Sequence, residues 1–181
     1  MKMQGLLATA TALGLVFGIG AVQAQPPFGT ESDVQYSQDL WRAMENTQLV
    51  GDNRVMSTPY EGQHPHGAVL DTIDTDSLQV NGNTGEVIIK RNYGGEGVST
   101  SKVANNPDKY LKAVTVMYRR AGYDPDNQNW FWVKYKPDGS LHTNPKDMKP
   151  AGRVAKGMDK GCIACHSAAP GGDYVFNNDR F

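Results

Sequence analysis

Five consecutive residues near the C-terminus, Cys162-Ile163-Ala164-Cys165-His166, place the chain's only two cysteines beside an imidazole. Thiols three positions apart lie about one helical turn from each other, so each can add to one vinyl group of the same porphyrin. The adjacent imidazole then falls under the iron. The spacing predicts one covalently attached haem c, with Cys162 and Cys165 as attachment points and His166 as the proximal axial ligand. Two rival chemistries are weaker. A thioredoxin-like dithiol would put the pair early in a βαβ unit, whereas here it comes after every strand pattern. A zinc knuckle would need two more Cys or His ligands at short spacing, and no further cysteine exists.

A second segment bears on where that chemistry takes place. Lys2 supplies a positive start, Leu6 to Val22 is apolar apart from Thr and Gly, and Val22-Gln23-Ala24 ends the stretch with small residues. This reads as a secretory signal over residues 1–24, cleaved after Ala24. A membrane anchor is the competing reading, against which the glycine content and the small-residue exit argue. Haem c is attached outside the bacterial cytoplasm, so a periplasmic location is expected. The mature chain would begin at Gln25 and form a single domain over residues 25–181.

Loss of Lys2 leaves 17 basic against 19 acidic residues, a net charge of −2. Such balance provides neither the basic stripe of a nucleic-acid binder nor a polybasic membrane patch, so no nucleic acid and, once the signal is gone, no membrane partner is expected. With both thiols on haem there is no structural disulfide. Packing and the cofactor must hold the fold.

The intervening sequence has to build the pocket. Gln25 to Thr30 reads as a loose Pro- and Gly-rich arm. Ser32 to Asn46 reads as a helix, with Ser32 and Gln35 as a possible capping box and Leu40, Trp41, Met44 and Gln48 on one face. Gly51 to His66 is rich in turns. The period then changes to two: Ala68 to Ile73, Glu86 to Tyr93, Ala113 to Arg119 and Asn129 to Tyr135 are strand candidates, the first pair separated by the turn cluster Asn81 to Gly85. Pro107 to Leu111 is a helical turn at most. In Asn129 to Tyr135 the residues Trp130 and Trp132 alternate with Phe131, Val133 and Tyr135, so both sheet faces are apolar and one is expected to wall the haem. Arg153 to His166 reads as the haem-bearing helix, weakened by Gly157 and Gly161, and the tail from Ser167 packs back over the core. The fold class is therefore α+β: a mostly antiparallel sheet with an N-terminal helix and a C-terminal haem-bearing helix.

A motif so late in the chain excludes the small cytochrome c arrangement, in which the motif comes early and a Met ligand follows; no Met follows His166. The strand patterns exclude a four-helix bundle. In order, the chain offers a helix with Leu40-Trp41, a Pro65-His66-Gly67 turn, the run Gly85-Glu86-Val87-Ile88-Ile89-Lys90, then Asn129-Trp130-Phe131-Trp132, the Cys162 to His166 motif and Asp173-Tyr174-Val175-Phe176. This order and spacing resemble the cytochrome P-460 family, including its beta-type cytochrome c-prime branch. The resemblance implies an antiparallel sheet, a homodimer, and a five-coordinate haem c whose open side binds or oxidises hydroxylamine or nitric oxide, passing electrons to a periplasmic redox partner. It also implies that Lys90 is the position to examine, since in one branch a lysine ending a comparable strand is bonded to the porphyrin edge. A lysine desolvated against haem would lose its proton readily and become nucleophilic. The plainer reading, favoured by polar Arg91 next to it, is a strand-end lysine reaching solvent.

His64 and His66 leave a second choice open. Either could reach the distal side and close the iron, which would make the protein a six-coordinate periplasmic electron carrier. The reading preferred from sequence is that Pro65 holds both in a surface turn. His142 is expected to be exposed, and Arg153 and Lys156 are expected as solvated charges, with haem propionates as alternative partners.

Overall fold

The computed structural model describes residues 27–176; residues 1–26, with the expected signal over 1–24, and residues 177–181 lie outside the described residues. Helix α1 (Glu31–Asn46) starts one residue before the expected position, because Thr30 rather than Ser32 is the cap: its hydroxyl accepts from Asp33 N at 3.2 Å. Tyr36, Leu40 and Met44 form the buried stripe, while Gln48 lies past the helix end and is exposed.

Six strands follow, all antiparallel and all beside their sequence neighbours: β1 (Tyr60–Glu61), β2 (Val69–Val80), β3 (Asn83–Tyr93), β4 (Leu111–Arg119), β5 (Trp130–Tyr135) and β6 (Ala151–Gly152). β2 and β3 run further than their hydrophobic alternation suggests. Asn81 and Gly82, both at positive φ (48° and 80°), close a two-residue hairpin whose twist matches the strands, so pairing continues to Val80 and Asn83. Two short helices sit between β3 and β4: α2 (Thr100–Asn105), unforeseen and capped by Ser99, and α3 (Pro107–Tyr110), foreseen as a turn. β4 lies between β3 and β5. Ala113 to Arg119 therefore offers no free edge for pairing between chains; the edges are β1 and β6, each only two residues long.

Period-two alternation sends β3, β4 and β5 side chains to two separate cores. On one face Val87, Ile89, Val116, Tyr118, Phe131, Val133 and Tyr135 pack under α1. On the other, Ile88, Met117, Trp130 and Trp132 pack with Phe28, Val154, Ile163 and Val175. The N-terminal arm is thus docked rather than loose where it is described: Phe28 is buried and Gly29 N donates to Ala151 O at 2.7 Å. No helix among the described residues is long and apolar enough to cross a membrane.

Candidate haem site

The helix expected to bear haem, α4 (Cys162–His166), is much shorter than the expected Arg153 to His166. Residues 153–161 form turns because Ala155, Gly157 and Gly161 take positive φ (64°, 69° and 135°), which no α-helix tolerates. Ile163 anchors this single turn in the Trp132 core, leaving Cys162 half-buried, Cys165 exposed and His166 buried. Burial pushes the Cys162 thiol up to about 11, the reverse of what a disulfide-exchanging dithiol needs. Among the described residues no three His, Cys, Asp or Glu side chains gather as a metal-ion cluster.

His166 lies among aromatic rings, with Trp132 and Phe176 centred 4.9 and 5.4 Å from it. Its Nδ1 is 2.6 Å from Tyr174 O. A carbonyl only accepts, so Nδ1 carries the proton, and in the neutral ring Nε2 keeps a lone pair, the tautomer and hydrogen bond expected of an imidazole prepared to bind a metal. Burial lowers the His166 pKa, opposed by this bond and assisted by the charge on Lys90. The tail, which the sequence left as packing, thus orients the His166 ring; it also accepts from Trp130 Nε1 at Asp173 O, 3.0 Å away.

The opposite wall comes from the Pro65 turn and the same face of β3. His64 is exposed, as expected, but His66 is not the surface residue anticipated: its ring centre lies 6.2 Å from that of His166, with planes at 86°. Gly67 makes this approach possible, because a Cβ there would lie 2.5 Å from Tyr93 O. Asn92 holds the turn. Its Nδ2 donates to Lys90 O at 2.8 Å and to Thr115 Oγ1 at 3.1 Å, which turns Oδ1 toward Gly67 N (3.2 Å) and His66 Nδ1 (3.0 Å). His66 Nδ1 therefore donates, and its Nε2 is also left with a lone pair. Burial first, and then the Lys90 charge, lower the His66 pKa to about 4.

Lys90 sits between Ile88 and Asn92 on this face, three residues before the end of β3, and its charge is felt by both imidazoles. The argument for solvent drawn from Arg91 fails, because Arg91 points to the other face and is wholly buried against Asp71. Arg153 and Lys156 both pair with Asp124, and Lys156 also reaches Asp126; they are not simply solvated charges. His142 is half-buried rather than exposed.

A porphyrin fits these residues on one further count. The indole N–H of Trp132 is buried, with the residue 2 % exposed, and has no hydrogen-bond partner. Such a donor next to His166 is costly unless a bound group accepts from it, as a haem carboxylate would. Asn92, Trp132 and the Tyr174 carbonyl were not singled out as site groups from sequence; the shared face of Lys90 and Asn92 was the available signal.

No curated protein and no solved structure matches the chain. A family model does: the one described as Cytochrome P460 covers residues 41–177, a span that takes in His66, Lys90, Asn92, Trp132 and the whole Cys162 to His166 motif. The chain belongs to the cytochrome P460 family.

Proposed function

We propose that this is an exported mono-haem c protein, joined to its cofactor through Cys162 and Cys165, that binds or oxidises hydroxylamine or nitric oxide on the side of the iron opposite His166. The observation that carries the reading is the buried His166 and the half-buried His66 with ring centres 6.2 Å apart, each Nδ1 bonded to an oxygen of the fold. Bound haem supplies an iron that accepts a nitrogen lone pair and takes up electrons. The chain supplies the rest. His166 Nε2 faces the iron, with Tyr174 O fixing its orientation. Ile88, Met117 and Trp132 keep water from that face. Hydroxylamine loses protons as it loses electrons, and His66 Nε2 is the chain's acceptor for them. Electrons leave to a periplasmic redox partner, and the homodimer and the Lys90 bond to the porphyrin edge belong to the same reading.

The test is optical. The secreted protein is expected to be coloured, to retain haem after acid-acetone extraction unless both cysteines are replaced by serine, and to change its ferrous spectrum on exposure to carbon monoxide or nitric oxide. A colourless product, or one whose spectrum ignores both gases, overturns the reading. The second of these outcomes would favour a six-coordinate electron carrier, an alternative supported by the closeness of His66 to His166.

A further inference from the structure

We propose that Lys134 and the indole N–H of Trp132 form the site for a haem carboxylate, so that the porphyrin lies with its acidic edge at the β5 side of the sheet. This rests on the proposed function and names the groups that set how the cofactor sits.

The haem face of the sheet changes character within one step along its strands. Ile88, Met117 and Trp132 are partners across β3, β4 and β5, and all three are buried and apolar. The next row on the same face is Lys90, Thr115 and Lys134, all half-buried. A porphyrin has the same division, a broad apolar ring with two carboxylates on one edge. At the β5 end of the polar row two groups wait for an anion. The Trp132 N–H is buried without an acceptor. Lys134 follows two residues later, and its ammonium makes no ion pair and no hydrogen bond among the described residues. Its charge is nevertheless felt inside the site, at His66 and at Cys162. The acids that the strands place on this face are engaged or distant: Glu86 pairs with Arg119 at 3.0 Å, and Asp74 stands on β2, three strands from Lys134. An orphan donor beside an uncompensated ammonium is costly unless a bound group meets both. One carboxylate does so, since it accepts at two oxygens, from the indole N–H and from the ammonium in a charge-assisted bond. Lys90 holds the other end of the row, two strand spacings or about 10 Å away, and keeps the separate role already given to it.

The experiment uses the haem-loaded protein and two readouts. One is the carboxylate bending band of the haem in the ferrous resonance Raman spectrum, which responds to hydrogen bonds at that group; the other is the midpoint potential. In wild type the band is expected to shift on transfer to deuterium oxide, because both donors exchange. Lys134→Met should displace the band and remove most of the deuterium effect. It should also favour the ferric state, since a cation near the iron favours the reduced one. A unit charge within about 10 Å at a half-buried site changes the ferric to ferrous ratio, at a fixed potential, by several-fold up to about tenfold. Trp132→Phe alters no charge, so it should displace the band with the potential almost unmoved; if that variant fails to load haem, the deuterium effect and Lys134→Met carry the test. Lys134→Arg should restore the potential, and Lys112→Met, at an exposed lysine, should move neither readout. A potential that falls in Lys134→Met with the band unchanged overturns the inference, because the lysine is then only a distant charge. A wild-type band indifferent to deuterium oxide, or an equal effect from Lys112→Met, overturns it too. All three results leave the proposed function standing if the protein still takes up carbon monoxide or nitric oxide. The expected band shifts in a protein that ignores both gases would support the carboxylate site and overturn the proposed function, and a colourless product would overturn both.

Discussion

Behind the site, on the opposite face of β3, Arg91 and Asp71 form an ion pair with no exposure on either side chain. Arg91 donates to Asp71 Oδ1 at 2.5 Å and to the carbonyls of Leu49 and Val55 at 2.6 and 2.8 Å, while Tyr93 donates to Asp71 Oδ2 at 2.5 Å. Asp71→Asn keeps the shape and allows one oxygen to accept from Arg91, with the new amide facing the Tyr93 oxygen. The charge is lost, and with it the acceptor of the Tyr93 hydroxyl proton. A guanidinium left uncompensated in the interior costs about 3–5 kcal/mol, a large share of the roughly 5–15 kcal/mol that holds a domain together. Urea unfolding followed by tryptophan fluorescence should therefore show a much lower midpoint at unchanged slope. The haem spectrum of the folded fraction should be unaltered, since the pair faces away from His66 and His166. Replacing both partners, as in Asp71→Leu with Arg91→Met, should recover most of the loss, because an apolar pair needs no compensation. An Asp71→Asn variant within about 1 kcal/mol of wild type would refute the reasoning, by showing that the three remaining acceptors suffice without the charge.

Other outcomes follow from the same geometry. Gly67→Ala should displace the His66 turn from β3, since a Cβ there would lie 2.5 Å from Tyr93 O; carbon monoxide binding to the ferrous protein should change in rate by several-fold while the circular dichroism stays that of the folded protein, and an unchanged rate contradicts this. Burial raises the phenol pKa of Tyr93 and Tyr135 above the ordinary value of 10.0, so the unfolded chain ionises first. Stability is fully present below about pH 10 and falls by about 1.4 kcal/mol per pH unit per phenol above it, seen as a dropping urea midpoint with phenolate absorbance appearing only on unfolding; a midpoint insensitive to alkali contradicts this. If Lys90 is bonded to the porphyrin, mass spectrometry of a proteolytic digest should find its peptide joined to the Cys162–His166 peptide through haem, and Lys90→Met should abolish that species while leaving the thioether attachment intact.

What the sequence made legible were the features with local signatures. The alternation of Trp130, Phe131, Trp132 and Val133 reveals a strand buried on both faces, and the spacing of Cys162, Cys165 and His166, with the order of the other motifs, was enough to point to the family. The errors came where a distant contact decides. Arg91 looked like a polar strand end because nothing nearby announces Asp71, twenty positions earlier. His66 looked like a turn residue because its placement depends on Gly67 fitting against Tyr93 and on the Asn92 amide, neither of which is periodic. The haem helix looked long because apolar spacing across residues 153–161 says nothing about the positive φ that Ala155 adopts.

The strand order has a bearing on how the cofactor is acquired. Because every strand of the sheet lies next to the one before it in the chain, pairing can proceed by closing short loops in succession, without waiting for a partner from the far end. The scaffold can then be zipped before a porphyrin is delivered. In that order of events the porphyrin meets a ready-made wall carrying Lys90, Asn92 and Trp132, and only the single turn of α4 has still to close against it.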